Sequence, residues 1–405
     1  MKKTDHALSD IKVLDLTRAV AGPTCTRMLV EMGAEVIKVE PAPNGDMIRP
    51  ISVYKNDRSL YFVQQNRGKK SVCIDLKDPR GIALVAELVG KVDVVVENFR
   101  PGVMDAMGLG YDRLRQLKGD IILCSISTFG QTGPLSQTPG YDFIAQAYSG
   151  ITSMIGEPDE PPCLPGAAIG DASTGVHGAL AVLAAIHHRN RTGEGDHLDV
   201  ALVDVYYSYH EANVHVHSGS GGTVSPTRQG SHFSYLCPCG VFRGTGGFLI
   251  IMAMLRHWPD FCRAIERPDL SEDPTLSDDP GRLARRDELT EIIETWLTKF
   301  PDIQTAVDHL GNFDVPCAPI LSVGETLENP HLRERGTVRT VDDPLHGPFE
   351  MPGHPIKWRR LPNNIPLEAP TLGQHNESIL ANVLERSAED IDTLSRDGVL
   401  FSKNH

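Results

Sequence analysis

Short β-branched runs that alternate with helical patterns dominate the first half of this 405-residue chain. The β-branched runs lie at 11–16, 36–39, 71–76, 92–96, 121–126 and 198–203. Apolar spacing near 3.6 residues, or small-residue helical composition, marks 25–32, 79–89, 142–151 and 173–188. Strand–helix alternation of this kind predicts a parallel sheet with helices on both faces, because parallel neighbours need crossover connections.

The regular strand–helix alternation ends after residue 203, and this change defines the predicted domains. We predict that 1–204 form the first part of a Rossmann-like large α/β domain and that 205–228 form a linker. A smaller α+β domain is predicted for 229–323. The Pro-rich remainder, 324–405, is predicted to be an extended return segment that completes the large domain.

Composition narrows the function classes. A net charge of −14 argues against nucleic-acid binding, which needs a basic face. No apolar run approaches the ~20 residues that span a bilayer, so no membrane association is expected. The polar start, 1–10, has no signal-peptide core, and a cytoplasmic protein is expected. Eight scattered cysteines without a CxxC motif indicate reduced thiols and no metal site.

Several cofactor and nucleophile motifs are absent. No GxGxxG follows the first strand, no P-loop is present, and no serine has a GxSxG frame. These absences argue against nicotinamide, nucleotide-hydrolysis and serine-esterase chemistry. His210 and His215 are five residues apart, which places them off the shared helix face that a zinc helix needs.

Asp171 is the candidate catalytic residue. It lies among small neighbours in the segment 165–175 and precedes an apolar helical run. A carboxylate in a first helical turn meets unpaired N–H groups, so it is expected to stay ionised and exposed to a reactant. Such a carboxylate can attack an activated carbonyl and hold the acyl group as an anhydride. The alternative interpretation is that Asp171 only caps the helix.

Basic residues are concentrated between 49 and 80, where eight lie against three acidic ones. The eight are Arg49, Lys55, Arg58, Arg67, Lys69, Lys70, Lys77 and Arg80. This patch could hold the phosphates of a ligand, or it could be a solvated face that balances acids elsewhere. The local charge count does not separate the two.

Several ordered segments together resemble the family III coenzyme A transferases, also called CaiB/BaiF proteins. The segments are 13–17, 21–23, 33–40, 45–46, 66–71, 75–77, 96–102, 170–171 and 191–195. The resemblance spans nearly the whole chain. It implies an interlaced homodimer, coenzyme A as co-substrate with no permanently bound cofactor, and an acyl-CoA and a carboxylic acid as substrates.

The resemblance also implies a role for Asp171. The family aspartate that matches it is the nucleophile, which forms an anhydride with the donor acyl group and then an aspartyl-CoA thioester. Backbone N–H groups at the start of the Asp171 helix are expected to stabilise the developing oxyanion. The family's CoA contacts correspond to Val20, Ala21, Ile74, Asp75, Leu76, Lys77, Asn98, Phe99, Tyr141 and Asp142, and we add Arg100 as a phosphate ligand. Ile74 and Phe99 could equally be core residues.

Departures from the family pattern limit what can be transferred. Pro41, Ala106 and Pro139 stand where the formyl-CoA transferases of the family have basic residues. Their glycine-rich active-site loop is also missing. Arg228 and His232, in a segment that resembles relatives acting on other acids, are candidates for binding the acceptor carboxylate, and an arginine clamp would suit a dicarboxylate. An ordinary turn role is the alternative for both.

Two alternative functions stay open on the sequence. A 2-methylacyl-CoA racemase-like protein would move an α-proton, but Tyr141 occupies the position of the histidine that serves there, and tyrosine has a pKa near 10. A non-catalytic CoA-binding protein would not need Asp171.

Overall fold

The computed structural model describes residues 6–363, 365 and 367–403. Its strands are β1 Lys12–Asp15, β2 Glu35–Pro41, β3 Tyr54–Lys55, β4 Arg58–Ser59, β5 Lys70–Ile74, β6 Val94–Glu97, β7 Ile122–Ser127, β8 His197–Ala201, β9 Cys239–Gly244, β10 Gly247–Met252, β11 Cys317–Pro319, β12 Val338–Asp343 and β13 Gly347–Pro352.

The helices alternate with the strands in the first half of the chain and outnumber them in the second half. They are α1 Ala21–Glu31, α2 Leu60–Asn66, α3 Pro79–Val89, α4 Val103–Ala106, α5 Tyr111–Leu117, α6 Asp142–Tyr148, α7 Ile169–Thr192, α8 Leu202–Ser208, α9 Asn213–Gly219, α10 Trp258–Ala264, α11 Pro268–Glu272, α12 Asp279–Ala284, α13 Arg286–Leu297, α14 Ile303–Gly311, α15 Val323–Glu328, α16 Pro330–Glu334, α17 Asn376–Asn382 and α18 Ala388–Arg396.

A six-stranded parallel sheet organises the first half, in the order β5-β2-β1-β6-β7-β8. Each of its strands overlaps one of the six predicted β-branched runs, and the predicted α/β class is confirmed. In chain order the strands read 3-2-1-4-5-6, the doubly wound Rossmann order. The order reverses between β1 and β6, so the loops after these two strands diverge and leave a crevice at the carboxyl edge.

Two apolar clusters cover the two faces of this sheet. On one face, residues of α1 and α7 such as Leu29 and Val182 pack with Val13 and Val96. On the other, residues of α3, α5, α17 and α18 pack with strand residues that point the opposite way, among them Leu14. This alternation follows from the period-two direction of strand side chains.

Helix α7 packs closely on α1 because its contact face is made of small residues. A Cβ added to Gly175 would lie 2.6 Å from the Ala21 carbonyl oxygen, so only glycine fits there. In the described part of the chain, this 24-residue helix is also the one that is long and apolar enough to cross a membrane by length and composition, a feature that the sequence interpretation did not single out. Buried core helices have the same character.

The chain divides into two compact units. The first comprises described residues within 1–151, 165–212 and 330–405, and the second comprises 152–164 and 213–329. The predicted linker, 205–228, does not coincide with this division. The boundary between the units falls inside it, after residue 212, and the segment contains the end of α8 and all of α9. In the second unit, an antiparallel sheet in the order β11-β10-β9 packs against helices through an apolar core that includes Trp258 and Trp296.

Most of the basic residues of 49–80 form ion pairs, and Arg58, Arg67 and Lys69 are buried, so neither interpretation of the patch holds for these three. Lys69 pairs with Asp15 at 2.9 Å, and Arg58 pairs with Asp343 at 2.6 Å, all within the protein interior. Arg67 pairs with Glu31. These carboxylates are distant in sequence, which is why a local charge count could not reveal them.

Candidate functional site

A cavity of about 440 Å³ opens at the carboxyl edge of the parallel sheet, at the strand-order reversal. Its lining residues come from the loops after β1, β6 and β7 and from the starts of α7 and α8. The predicted site residues among them are Val20, Ala21, Asn98, Phe99, Arg100, Tyr141 and Asp171. Most of the predicted CoA contacts and the predicted nucleophile therefore share one cavity.

The loops after β1 and β6 are held together at the crevice by reciprocal hydrogen bonds. The Arg18 N–H donates to Asn98 Oδ1, and Asn98 Nδ2 donates to the Arg18 carbonyl oxygen, each at 2.8 Å. The Arg18 guanidinium carbon lies 5.0 Å from the centre of the Phe99 ring. Arg18 and Arg100 are exposed cations in the cavity wall. Arg18 was missed by the sequence interpretation, although its position directly after a predicted strand was an available signal.

Asp171 is the third residue of α7 and lines the cavity half-buried. The N-cap residue is Ala168, whose side chain makes no capping hydrogen bond, and the first N–H groups of the helix donate to side chains other than Asp171. The capping interpretation of Asp171 is therefore wrong. The Asp171 carboxyl group lies in the first helical turn, faces the cavity and does not cap the helix.

The backbone N–H groups at the start of α7 are already used by a buried network. The Gly170 N–H donates to the Tyr206 hydroxyl at 2.9 Å, and the Asp171 N–H lies 3.4 Å from Asp142 Oδ2. The Tyr206 hydroxyl in turn donates to Asp142 Oδ1. The expectation that these N–H groups stabilise an oxyanion is not supported, because their partners are Tyr206 and Asp142.

The surroundings raise the pKa of Asp171 to about 7, against the expectation that the residue stays fully ionised. Burial is the larger cause, and the charge of Asp142 is the other. The helix terminus gives little compensation because its first N–H groups donate elsewhere. At neutral pH the Asp171 carboxyl group is thus divided between its ionised and protonated forms.

The remaining predicted CoA contacts lie outside the cavity lining. The Ile74 side chain is fully buried in the sheet core, as the alternative interpretation of this residue expected. Asp75 accepts the Lys77 N–H at 2.9 Å and so shapes the turn after β5, where Lys77 is exposed. Asp142 is buried under Asp171. The CoA contacts proposed for these residues and for Leu76 stay predictions.

Arg228 and His232 belong to the second unit. The Arg228 guanidinium donates to the carbonyl oxygens of Ser153, Glu157 and Pro158, which uses three of its five N–H donors. Burial, and then the charge of Arg286, lowers the pKa of His232, which disfavours a cationic imidazole. Both arrangements fit a structural role, and binding of the acceptor acid stays a prediction.

The described residues contain no group of three or more His, Cys, Asp or Glu side chains arranged to hold a metal ion. The chemistry available in the cavity is that of a carboxyl group, flanking cations and apolar walls.

Comparisons with known proteins agree with this arrangement. The model of CoA-transferase family III matches residues 8–376. A succinyl-CoA:mesaconate CoA-transferase of Haloarcula hispanica is 39% identical over 92% of this chain and 96% of its own length. A formyl-CoA:oxalate CoA-transferase of Bradyrhizobium diazoefficiens is 34% identical over 97% of each chain.

A solved structure shows the same fold. The crystal structure of a CaiB/BaiF family protein from Brucella suis superposes with a TM-score of 0.84 at 31% identity, over 94% of this chain and 100% of that one. The family match and the relatives together also confirm the resemblance found in the sequence. The chain belongs to CoA-transferase family III and is a CoA-transferase.

Proposed function

We propose that this CoA-transferase moves CoA from an acyl-CoA donor to a dicarboxylic acid acceptor through covalent intermediates on Asp171. The observation that carries the proposal is that Asp171 lines the same cavity as the predicted CoA contacts. The carboxyl group supplies a nucleophile, and Arg18 and Arg100 supply charge for the phosphates of CoA.

The steps balance without an external base. An Asp171 oxygen attacks the thioester carbonyl carbon, the C–S bond breaks, and CoA leaves as a thiolate, which yields a mixed anhydride. The thiolate then attacks the Asp171 carbonyl carbon and releases the donor acid, leaving an aspartyl-CoA thioester. The acceptor carboxylate displaces the thiolate to form a second anhydride, and attack by the thiolate on the acceptor carbonyl releases the product and frees Asp171.

The dicarboxylate assignment rests on the relatives. Mesaconate and oxalate, which their names give as substrates, are both dicarboxylic acids. A second carboxylate on the acceptor offers a handle that a cation in the cavity can bind while the first carboxylate reacts. Retention of CoA between the steps keeps the thiolate close to each anhydride and so favours transfer over hydrolysis.

Trapping of the intermediate tests this proposal. We expect that incubation with succinyl-CoA followed by hydroxylamine converts Asp171, and no other acidic residue, to its hydroxamate, which peptide mass spectrometry locates. A panel of mono- and dicarboxylates in the presence of succinyl-CoA then identifies the acceptors. Modification of another side chain, or none under conditions of measured CoA transfer, would contradict the covalent role of Asp171.

A racemase-like reaction is a second candidate, because a pKa of about 7 also suits a general acid–base residue. Tyr141 lines the cavity and is 72% exposed, but its phenol is a poor proton acceptor at neutral pH. Deuterium uptake at the α-carbon of a 2-methylacyl-CoA in heavy water, without acid-dependent CoA transfer, would favour this candidate.

We also propose that the protein is a homodimer. Tyr148 on α6, Val176 and Leu180 on α7, and Tyr207 on α8 are each between 45% and 63% exposed, an unusual amount of apolar surface on helices near the site. We expect light scattering after gel filtration to give twice the 44.3 kDa chain mass. Leu180→Asp should shift the protein toward monomer, whereas Leu255→Asp, at a 54% exposed position of the second unit, should not.

A further inference from the structure

The buried residue Asp142 lies next to Asp171 and is held by hydrogen bonds. Asp142 begins α6 and is 5% exposed, and its two oxygens take the Tyr206 O–H and the Asp171 N–H. Gln146 Nε2 lies 3.2 Å from the Tyr206 hydroxyl and donates to it. Because a buried carboxyl group needs partners of this kind, the two hydrogen bonds fix Asp142 in place next to Asp171.

The backbone geometry around Gly170 shows how closely the parts fit. A Cβ at residue 170 would lie 2.0 Å from Tyr206 Cε2 and 2.7 Å from Asp142 Oδ1. The absence of a side chain at Gly170 therefore lets the Tyr206 ring and the Asp142 carboxylate approach the first turn of α7. A packing requirement thus accounts for the glycine that precedes Asp171.

We propose that Asp142, held by Tyr206, is a positioning residue that keeps a fixed negative charge against Asp171 and so favours the acylated form of Asp171 over its free carboxylate. This inference rests on the proposed covalent role of Asp171. Attack on a thioester moves the charge of Asp171 away to the thiolate and leaves a neutral anhydride. The like-charge repulsion that Asp142 imposes on the free carboxylate is relieved in that step.

The elements packed against α7, together with Tyr61 on α2, carry other titratable or charged groups. They are Tyr148 on α6, Asp204, Tyr206 and Tyr207 on α8, Cys25, Arg27 and Glu31 on α1, Tyr61 on α2, Cys124 on β7, and His197 and Asp199 on β8. Asp142 is the one charge that raises the pKa of Asp171, in addition to burial.

The test compares Asp142→Asn with the wild type in the exchange of CoA between succinyl-CoA and ¹³C-labelled succinate. Removal of the like charge is expected to move the acid limb of the pH–rate profile about one unit to lower pH. Above pH 8, the ratio of acylated to free enzyme should fall roughly tenfold, the factor that corresponds to one pKa unit. Intact-protein mass spectrometry with succinyl-CoA alone measures this ratio.

Two further variants separate positioning from general structural damage. Asp199→Asn removes a carboxylate on β8 that accepts the Gln131 N–H at 2.8 Å, and it should leave both readouts unchanged. Tyr206→Phe keeps both carboxylates and removes only the hydroxyl group, so it should lower kcat roughly tenfold at an unchanged KM for succinyl-CoA. It serves as the test if Asp142→Asn does not fold.

The outcomes are distinct. An unchanged pH profile and acylated fraction in a folded Asp142→Asn variant, or wild-type kcat in Tyr206→Phe, would overturn the positioning role while Asp171 acylation in the wild type still supported the proposed function. If wild-type Asp171 is never acylated during measured exchange, the proposed function itself fails.

Discussion

Asp171→Asn is expected to lower the rate of CoA transfer by at least about three orders of magnitude, the scale seen when a covalent nucleophile is removed. The amide fills the same space in the cavity but is a much weaker nucleophile than the carboxylate, so no anhydride forms. Binding of CoA should change little, because the proposed mechanism places Asp171 at the acyl group and not at the CoA phosphates. Stopped assays with succinyl-CoA and labelled succinate, with CoA binding followed by calorimetry, measure both quantities.

The same substitution should stabilise the folded protein. The pKa of Asp171 is raised from 3.8 to about 7, so ionisation of the folded state costs free energy that the unfolded chain does not incur. The cost is absent below pH 3.8, grows as the pH rises, and is complete above pH 7. Asp171→Asn should therefore increase the free energy of unfolding by roughly 2–4 kcal/mol at pH 8 and by less than half of that at pH 5.

Urea unfolding of wild type and variant at the two pH values checks this sign. Asp199→Asn is the matched control, because it removes one carboxylate of the same unit that does not act on the Asp171 pKa. Retention of CoA transfer in Asp171→Asn would contradict the nucleophilic role. A loss of stability at pH 8 would contradict the electrostatic origin of the raised pKa.

The sheet could be predicted from sequence because its central strands, such as β6 and β7, are buried on both faces. Such strands read as continuous β-branched runs, as at 92–96, and the intervening helices force parallel pairing. Once the strands are parallel, the residues that follow β1 and β6 meet at one edge. Val20 and Asn98 are therefore found in one cavity although they are far apart in the chain.

The electrostatics of the site could not be predicted in the same way. The ionisation of Asp171 depends on Asp142 and on the partners of the helix N–H groups, and Tyr206, which takes one of them, lies on a later helix. A first-turn position alone indicated an ionised carboxylate. The folded neighbourhood reverses that expectation, since burial and a like charge outweigh a helix terminus whose N–H groups are already bonded.

Buried ion pairs are the second feature that the sequence did not predict. The sequence count treats Lys69 as one of several exposed cations, but its ammonium group is completely buried and donates to Asp15 and to Asn66. The pairing brings together a residue at the end of β1 and one just before β5. No local pattern carries that information, because it depends on strand order.

Asp15→Asn is expected to destabilise the protein by about 3–5 kcal/mol, the cost of leaving a buried charge without its partner. The Asp15 carboxylate accepts hydrogen bonds from Thr17, Thr26 and Lys69 and has no exposed surface. Burial alone would raise its pKa, but the charges of Lys38 and Lys69, together with hydrogen bonds from Thr17 and Lys69, lower the pKa to about 2. Its stabilising contribution is therefore present above pH 3.8 and is lost as the pH falls through 2.

Glu35→Gln is the matched control for Asp15→Asn, since Glu35 on β2 pairs at 2.6 Å with Lys70, the residue next to Lys69, but on the exposed surface. That change should cost less than about 1 kcal/mol. Because Asp15 also accepts the Thr17 N–H and O–H, it orders the loop that leads to Val20 in the cavity wall. Asp15→Asn should thus raise the KM for succinyl-CoA as well, whereas equal effects of the two variants on stability and KM would show that the buried pair has no special role.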